Sequence, residues 1–386
     1  MNIGLLGFGV VGRGVYDMLA GRDDIRAAWV LCRRDLGELT ARTTYEMQDI
    51  LDDPAVDTVV EVMGGLHPAY EYICAALRSG KHVVTANKAV ISAYYRELTA
   101  LACENRVALR CTAAVGRGIP WLVNLQRCRR VDTVTEVGGI MNGTTNFIMD
   151  AMARQGADFP AVLQRAQELG YAEADPSADI DGDDIRRKLT ISANIAFDAL
   201  LREEDIPAFG IRTVTGADVA DFRAHGFTCK LLACAQRTET GVAAYVEPAL
   251  VAEGEPEAAV PGNYNLISCT GELLGRQSYF GQGAGRYPTA ANVVQDCLDL
   301  LTGEDGFYTE TARPMAVEAD AVAHPYYVRT QAADPWLESV TADRWDSGVI
   351  TGAVPVGQML RWAAAGSRML CGGHPVTVFR CLRKTS

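Results

Sequence analysis

The stretch "NIGLLGFGVVGRG", Asn2 to Gly14, decides the fold. Asn2–Leu6 is an apolar run of strand length. Gly7, Gly9 and Gly12 follow in a G-x-G-x-x-G spacing, and Val11, Val15, Met18 and Leu19 then recur at helical intervals. A second apolar run, "AAWVLCRR" (27–34), completes a strand–turn–helix–strand unit, the opening of a doubly wound parallel sheet. Taken alone, the glycine spacing is common. Directly after a strand and at the start of a helix it acquires a mechanism, because glycines there let the backbone approach a pyrophosphate at the positive helix end. Gly7, Phe8, Gly9, Val10, Val11 and Gly12 are therefore the expected nucleotide-binding residues. Beyond the second strand stand Arg33 and Arg34, where an acidic residue would receive a ribose 2′-hydroxyl. Arginine pairs with a 2′-phosphate instead, so NADP(H) is expected in preference to NAD(H).

The alternation continues outward. "VDTVVEVMGG" (56–65), a helix over 68–79, "HVVTAN" (82–87), a helix over 92–105 and "VALRCTAAV" (107–115) define a Rossmann-type nucleotide-binding domain over residues 1–130. From 131 the texture changes. Strands "VDTVTEVGGIMN" (131–142) and "GVAAYVEPALV" (241–251) show polar alternation, as exposed-face strands do, among helices at 143–153, 159–169, 183–200 and 215–224. Residues 131–305 are expected to form an α+β substrate and dimerisation domain. Its segment 281–301 returns to strand-then-helix texture and contacts the nucleotide domain. Residues 306–386 carry strand candidates "PYYVRT", "SGVIT" and "VTVFRC" and a helix at 355–365, a small C-terminal module of reduced regulatory type. The class is thus α/β with an α+β second domain.

Composition narrows the function class. The chain has 386 residues, 48% of them hydrophobic, yet no apolar run of membrane length and no basic, small-residue leader at its start. A net charge of −12 without a Lys/Arg block disfavours nucleic acid and anionic membranes as partners. Eleven cysteines, an odd count with no C-x-x-C pair, fit reduced thiols in a cytoplasm better than disulfides or zinc.

A second stretch carries the chemistry. "GYAEADPSADIDGDDIRRKLTISANIAF" (170–197) holds Glu173, Asp175, Asp179, Asp181, Asp183 and Asp184. An EF-hand calcium loop with Gly182 at its sixth position would have Lys188 at the twelfth, where a bidentate glutamate belongs, so that assignment fails. Asp184 and Lys188 are four apart and share a helix face. They form either an ordinary surface ion pair, worth a few tenths of a kcal/mol, or a site in which carboxylates hold an ammonium and the lysine serves an oxygen that gains a proton on reduction. Lys88, in "KHVVTANKA", follows the C-terminal end of a parallel strand, the edge at which ligands sit.

Six blocks in order, "VVEVMGG", "AYEYICAALRSGKHVVTANK", "AAVGRGIP", "GIMNGTTNFI", "LGYAEADPSADIDGDDIRRKL" and "GQGAGRYPTAANVVQD", together resemble homoserine dehydrogenases over roughly residues 3–300. The resemblance implies reversible reduction of L-aspartate 4-semialdehyde to L-homoserine with NAD(P)H, on the branch to threonine and methionine. It implies Lys188 as proton donor, with Asp184 as its partner at the substrate hydroxyl. Glu173 would be the anchor for the substrate's amino group, with Asp179 and Asp184 as further substrate-binding carboxylates. Lys88 would lie between nicotinamide and substrate, and Gly170 and Gly283 would make backbone contacts to the cofactor. It further implies a monovalent cation at the positions matching Thr112, Val115, Arg117 and Ile119. Thr112 stands there in place of a glutamate and Arg117 in place of a small residue, so the arginine is expected to repel the ion or replace it with its guanidinium. A small amino-acid substrate and a homodimer or homotetramer are the expected partners. Two alternatives are a catalytically altered nucleotide-binding relative with a regulatory role and a dehydrogenase of a related amino-aldehyde.

Overall fold

In the computed structural model, which describes residues 1–381 apart from 38, 284, 305, 308–310, 331–332 and 370–376, the chain divides into two units. The first comprises Met1–Thr133, Thr190–Arg202 and Gly281–Pro314. The second comprises Val134–Leu189, Glu203–Phe280 and Met315–Ser386.

The first unit holds β1 (Asn2–Leu6), α1 (Val10–Leu19), β2 (Arg26–Leu31), β3 (Arg42–Thr44), α2 (Met47–Asp52), β4 (Thr58–Glu61), α3 (Ala69–Arg78), β5 (His82–Thr85), α4 (Lys88–Glu104), β6 (Leu109–Arg110) and α5 (Trp121–Arg129). Six parallel strands lie in the order β3-β2-β1-β4-β5-β6. That order reverses between β1 and β4, so their carboxyl ends flank a crevice. Ile3, Leu5, Val30, Val60 and Val84 build the core, the buried β-branched composition that parallel strands covered on both faces require. Helix α11 (Arg286–Leu301) packs on α1: a side chain at Gly14 would start 3.0 Å from the Ala290 methyl, so glycine lets the helices approach without a shift. The expected strand over 107–115 is cut to Leu109–Arg110. The next residues turn into a 3₁₀ segment, Thr112–Ala114, because the Thr112 N–H donates to Asp296 (2.9 Å) instead of to a neighbouring strand.

The second unit contains β7 (Val134–Ile140), α6 (Gly143–Gln155), α7 (Phe159–Glu168), α8 (Ser177–Ile180), α10 (Gly216–Ala224), β8 (Phe227–Arg237), β9 (Gly241–Ala252), β10 (Tyr264–Gly271) and most of β11 (Gly275–Gln282). Helix α9 (Asp183–Phe197) begins in this unit and contributes its C-terminal turns to the first. The C-terminal strands β12 (Ala316–Val317), β14 (Tyr326–Arg329), β15 (Thr341–Arg344), β16 (Val349–Thr351) and β18 (Thr377–Cys381) join one mixed sheet, ordered β11-β10-β7-β8-β9-β18-β14-β16-β15 with β12 paired to β9, while β13 (Ala323–His324) and β17 (Val354–Pro355) pair with each other. Strand β9 was expected to show solvent one polar face; instead every one of its residues is buried. It lies inside the sheet between β8 and β18. Tyr245 packs with Val356 and Leu360, while the Val246 Cγ1, on the opposite pleat, is 3.4 Å from where a side chain at Gly182 would begin. Its polar residue, Glu247, is satisfied internally by the Tyr326 hydroxyl (3.0 Å) and His324 Nε2 (2.9 Å). Among the described residues no helix is long and apolar enough to cross a membrane.

Candidate active site

Three glycines of the first turn have three different reasons to be there. Gly7 adopts φ 96°, and a Cβ at Gly12 would meet the Gly7 carbonyl oxygen at 2.1 Å, so the fold itself demands both. Gly9 has φ −78° and a Cβ there would meet nothing within 4 Å. The protein's own packing therefore does not require glycine there, and Gly9 caps the N-terminus of α1, where an anion is favoured. This cradle fits a dinucleotide. Beside it, a cavity of about 250 Å³ is lined by Val11, Met63, Gly64, Lys88, Ala113 and Arg117. Met63 and Asn87, both on its wall, donate to Glu61, a buried carboxylate at the end of β4. Glu61 accepts from the Thr85 hydroxyl (2.6 Å), the Met63 N–H (2.7 Å) and the Asn87 amide (3.5 Å). Burial pushes this carboxyl above its usual range, and those three donors with the Gly64 N–H (3.4 Å) pull it back. Asn87 caps α4 by accepting from the Val90 N–H, and Lys88 is the first residue of that helix.

In the second unit the six carboxylates separate into distinct tasks. Asp175 accepts from the Ser177 N–H (3.1 Å) and turns the loop into α8. Asp181 takes a bidentate Arg212 (2.9 and 2.7 Å), and Asp183 pairs with Arg186 (2.7 Å). Asp184 and Lys188 form a buried pair at 2.6 Å, not a surface one. Lys188 Nζ also donates to the Met141 carbonyl (2.6 Å). The Asn142 amide bridges Asp184 (2.8 Å) and Asp179 (2.7 Å), while its carbonyl oxygen caps α6 by accepting from the Thr145 N–H (2.8 Å). Burial and the nearby Asp184 raise the Asp179 carboxyl above its usual value. Two carboxylates, an ammonium and a bridging amide are thus fixed before any ligand arrives, an arrangement that can hold and move a proton.

The family models described as "Homoserine dehydrogenase" and "Homoserine dehydrogenase, NAD binding domain" match residues 120–298 and 7–111. The homoserine dehydrogenase of Bacillus subtilis is 37% identical over 315 residues, spanning 78% of this chain and 73% of that protein. The chain belongs to the homoserine dehydrogenase family. A crystal structure of a homoserine dehydrogenase from Thiobacillus denitrificans superposes with a TM-score of 0.88 at 32% identity, covering 99% of this chain and 98% of that one. A hyperthermophilic archaeal homoserine dehydrogenase mutant in complex with NADPH gives a TM-score of 0.68 at 25% identity, covering 78% of this chain and 98% of that one. Like its family, the chain is an oxidoreductase with a nicotinamide-nucleotide-binding domain.

The remaining residues that the homoserine dehydrogenase resemblance singles out are placed as follows. Glu173 is exposed, and among the described residues nothing pairs with its carboxylate. Gly170 is an exposed left-handed residue (φ 73°) that ends α7 through its N–H to the Gln167 carbonyl (3.0 Å), a conformation that by itself calls for glycine. Gly283 is buried between β11 and α11, within the first unit. Arg33 and Arg34 are exposed just beyond β2, on the same sheet edge as the glycine turn. Three of the four cation positions already have partners within the protein. The Thr112 hydroxyl goes to Asp296 (2.7 Å), and the carbonyls of Arg117 and Ile119 both accept from the Asn292 amide. The guanidinium expected in the ion's place is not what holds those carbonyls; Arg117 lines the cavity instead. Sequence reasoning gave no role to Asn142, Glu61 or Asn292. Asn142 had a signal, an asparagine directly before a helical run, and Glu61 had one in the acidic end of a buried strand.

Proposed function

We propose that this chain catalyses the reversible reduction of L-aspartate 4-semialdehyde to L-homoserine, preferring NADP(H). The observation that carries the proposal is the buried Lys188–Asp184 pair at 2.6 Å, bracketed by Asn142 and the Met141 carbonyl. A bound dinucleotide supplies the hydride in one direction and accepts it in the other. As the aldehyde oxygen gains charge, the Lys188 ammonium stabilises and protonates it. Asp184 and the Met141 carbonyl fix the direction of that ammonium, and Asn142 holds Asp184 in turn. Glu173 anchors the substrate's own ammonium, with Asp179 adding negative charge nearby. Lys88, at the positive end of α4 and on the cavity wall, attracts the anionic parts of substrate and cofactor. Arg33 and Arg34 receive the 2′-phosphate. Cys32, Cys74, Cys111, Cys229 and Cys297 are buried as thiols, which supports a reducing cytoplasm. Self-association as a homodimer or homotetramer is supported by the sheet-edge strand β11, which exposes Phe280 beside the exposed Leu273 and Leu274. The test is oxidation of NADPH and of NADH with aspartate semialdehyde. Substrate-dependent oxidation with a higher kcat/KM for NADPH is expected, and absence of oxidation with either cofactor would refute the proposal.

A further inference from the structure

Helix α11 carries Asn292 and Asp296 four residues apart, hence on one face. Both reach the loop that follows β6. Asp296 accepts from the Thr112 N–H (2.9 Å), the Thr112 hydroxyl (2.7 Å) and the buried Arg110 guanidinium (3.1 Å). Asn292 Nδ2 donates to the Arg117 carbonyl and to the Ile119 carbonyl (3.1 Å). An amide nitrogen has two hydrogens, and here both are used. Both neighbours are carbonyl oxygens, so the nitrogen and not the oxygen of the carboxamide must face them. Asn292 is buried, and a wrongly turned amide would set oxygen against oxygen without water to relieve it.

We infer that the Asn292 carboxamide replaces a monovalent cation in this chain, holding the 112–119 loop by hydrogen bonds so that the protein needs no bound sodium or potassium. A cation held by backbone carbonyls gathers their lone pairs on one point. The amide nitrogen does the same with a partial positive charge that is covalently part of α11. Thr112 offers an ion only a neutral hydroxyl, anchored to Asp296, where the resemblance expects a glutamate carboxylate. Arg117, held in the left-handed region at φ 47° where a side chain is strained, adds a full positive charge to the same loop and further disfavours an ion. Ala113, Ala114 and Arg117 of this loop line the cavity, so what fixes the loop also shapes the cavity wall.

Melting in sodium, potassium or choline chloride at matched ionic strength tests this without recourse to turnover. The parent should melt at the same temperature in all three salts. Asn292→Ala should melt lower by roughly 2–5 °C, having lost two buried hydrogen bonds. Asn292→Asp sets a carboxylate against the two carbonyls. It should melt lower still in choline and recover several degrees in sodium or potassium, saturably, as mass action requires. Saturable stabilisation of the parent by sodium or potassium beyond choline would overturn the inference, because the amide would then have turned to serve as a ligand. An Asn292→Ala protein that melts like the parent would equally remove the carboxamide from its role. Should neither variant fold, the parent's response to the three salts still decides whether an ion is bound.

Discussion

Asn142, Asp179, Asp184 and Lys188, from two places in the sequence, meet in one hydrogen-bonded cluster. Asp184 and Lys188 share a helix face by their spacing alone, and that much is legible in the primary structure. Their burial is not, since a surface ion pair has the same spacing. Burial changes the energetics: an exposed pair contributes at most about 1 kcal/mol, whereas removing one partner of a buried pair costs about 3–5 kcal/mol. Asn142, which binds Asp184 from 42 positions away, was invisible because its amide bridge is a tertiary contact; only its capping role has a local signal. Glu173 lies on the exposed loop as an amine anchor would. Replacing it by glutamine should raise KM for the amino-acid substrate tenfold or more, the loss of a charge-assisted bond of about 1.5–3 kcal/mol, with a smaller effect on kcat. A KM within twofold of the parent would take the substrate ammonium away from this residue. Replacing Arg33 and Arg34 together by alanine should weaken NADPH binding by about ten- to a hundredfold and leave NADH nearly unchanged. Titration of both cofactors would show it, and equal losses would contradict a 2′-phosphate role.

At the scale of elements, the glycine turn was the most legible feature, because strand, turn and helix are encoded within about a dozen neighbouring residues. Its glycines nevertheless divide by cause, and the division is testable. Gly9→Ala should leave the melting temperature within about 1 °C of the parent, since its Cβ enters open space, while dinucleotide affinity falls about tenfold. Gly12→Ala should destabilise the fold outright by forcing Cβ onto the Gly7 carbonyl. Equal stability of the two proteins would refute the distinction. Strand β8 escaped the sequence reading because "FTCKLLACAQR" is broken by Lys230, which looks like an exposed position and is buried. Its ammonium donates to the Asn146 side-chain oxygen (2.8 Å) and the Val260 carbonyl (2.9 Å), both uncharged acceptors. Burial lowers this lysine from the ordinary 10.5 to about 8. Between pH 8 and 10.5 the unfolded chain keeps a proton that the folded chain has released, so stability should rise with pH across that window, by up to about 3 kcal/mol. Denaturant titrations of the parent and of Lys230→Met should show the rise in the first and not in the second. The same slope in both would remove Lys230 as its cause.

For the molecule as a whole, sequence patterns are contiguous, whereas the first unit is assembled from three separated segments, and such assembly has no local signal. The same limit hid the partnership between α11 and the 112–119 loop, whose contacts span 173 to 184 positions. Likewise the polar alternation of β9 points to a half-exposed strand, whereas its place inside the sheet buries all of it, Glu247 among hydrogen-bond donors included. The exposed β11 edge predicts a solution mass of twice or four times the 41.6-kDa chain by light scattering. A single-chain mass would contradict it. The central claim is that Lys188 handles the proton that accompanies hydride transfer. Steady-state kinetics of Lys188→Gln tests it most directly, because glutamine can still donate to Asp184 and the Met141 carbonyl but has no proton to give. With melting and dinucleotide affinity close to the parent, kcat/KM for aspartate semialdehyde should fall by a factor on the order of 10²–10⁴. Turnover near that of the parent would show that this buried pair serves the fold alone.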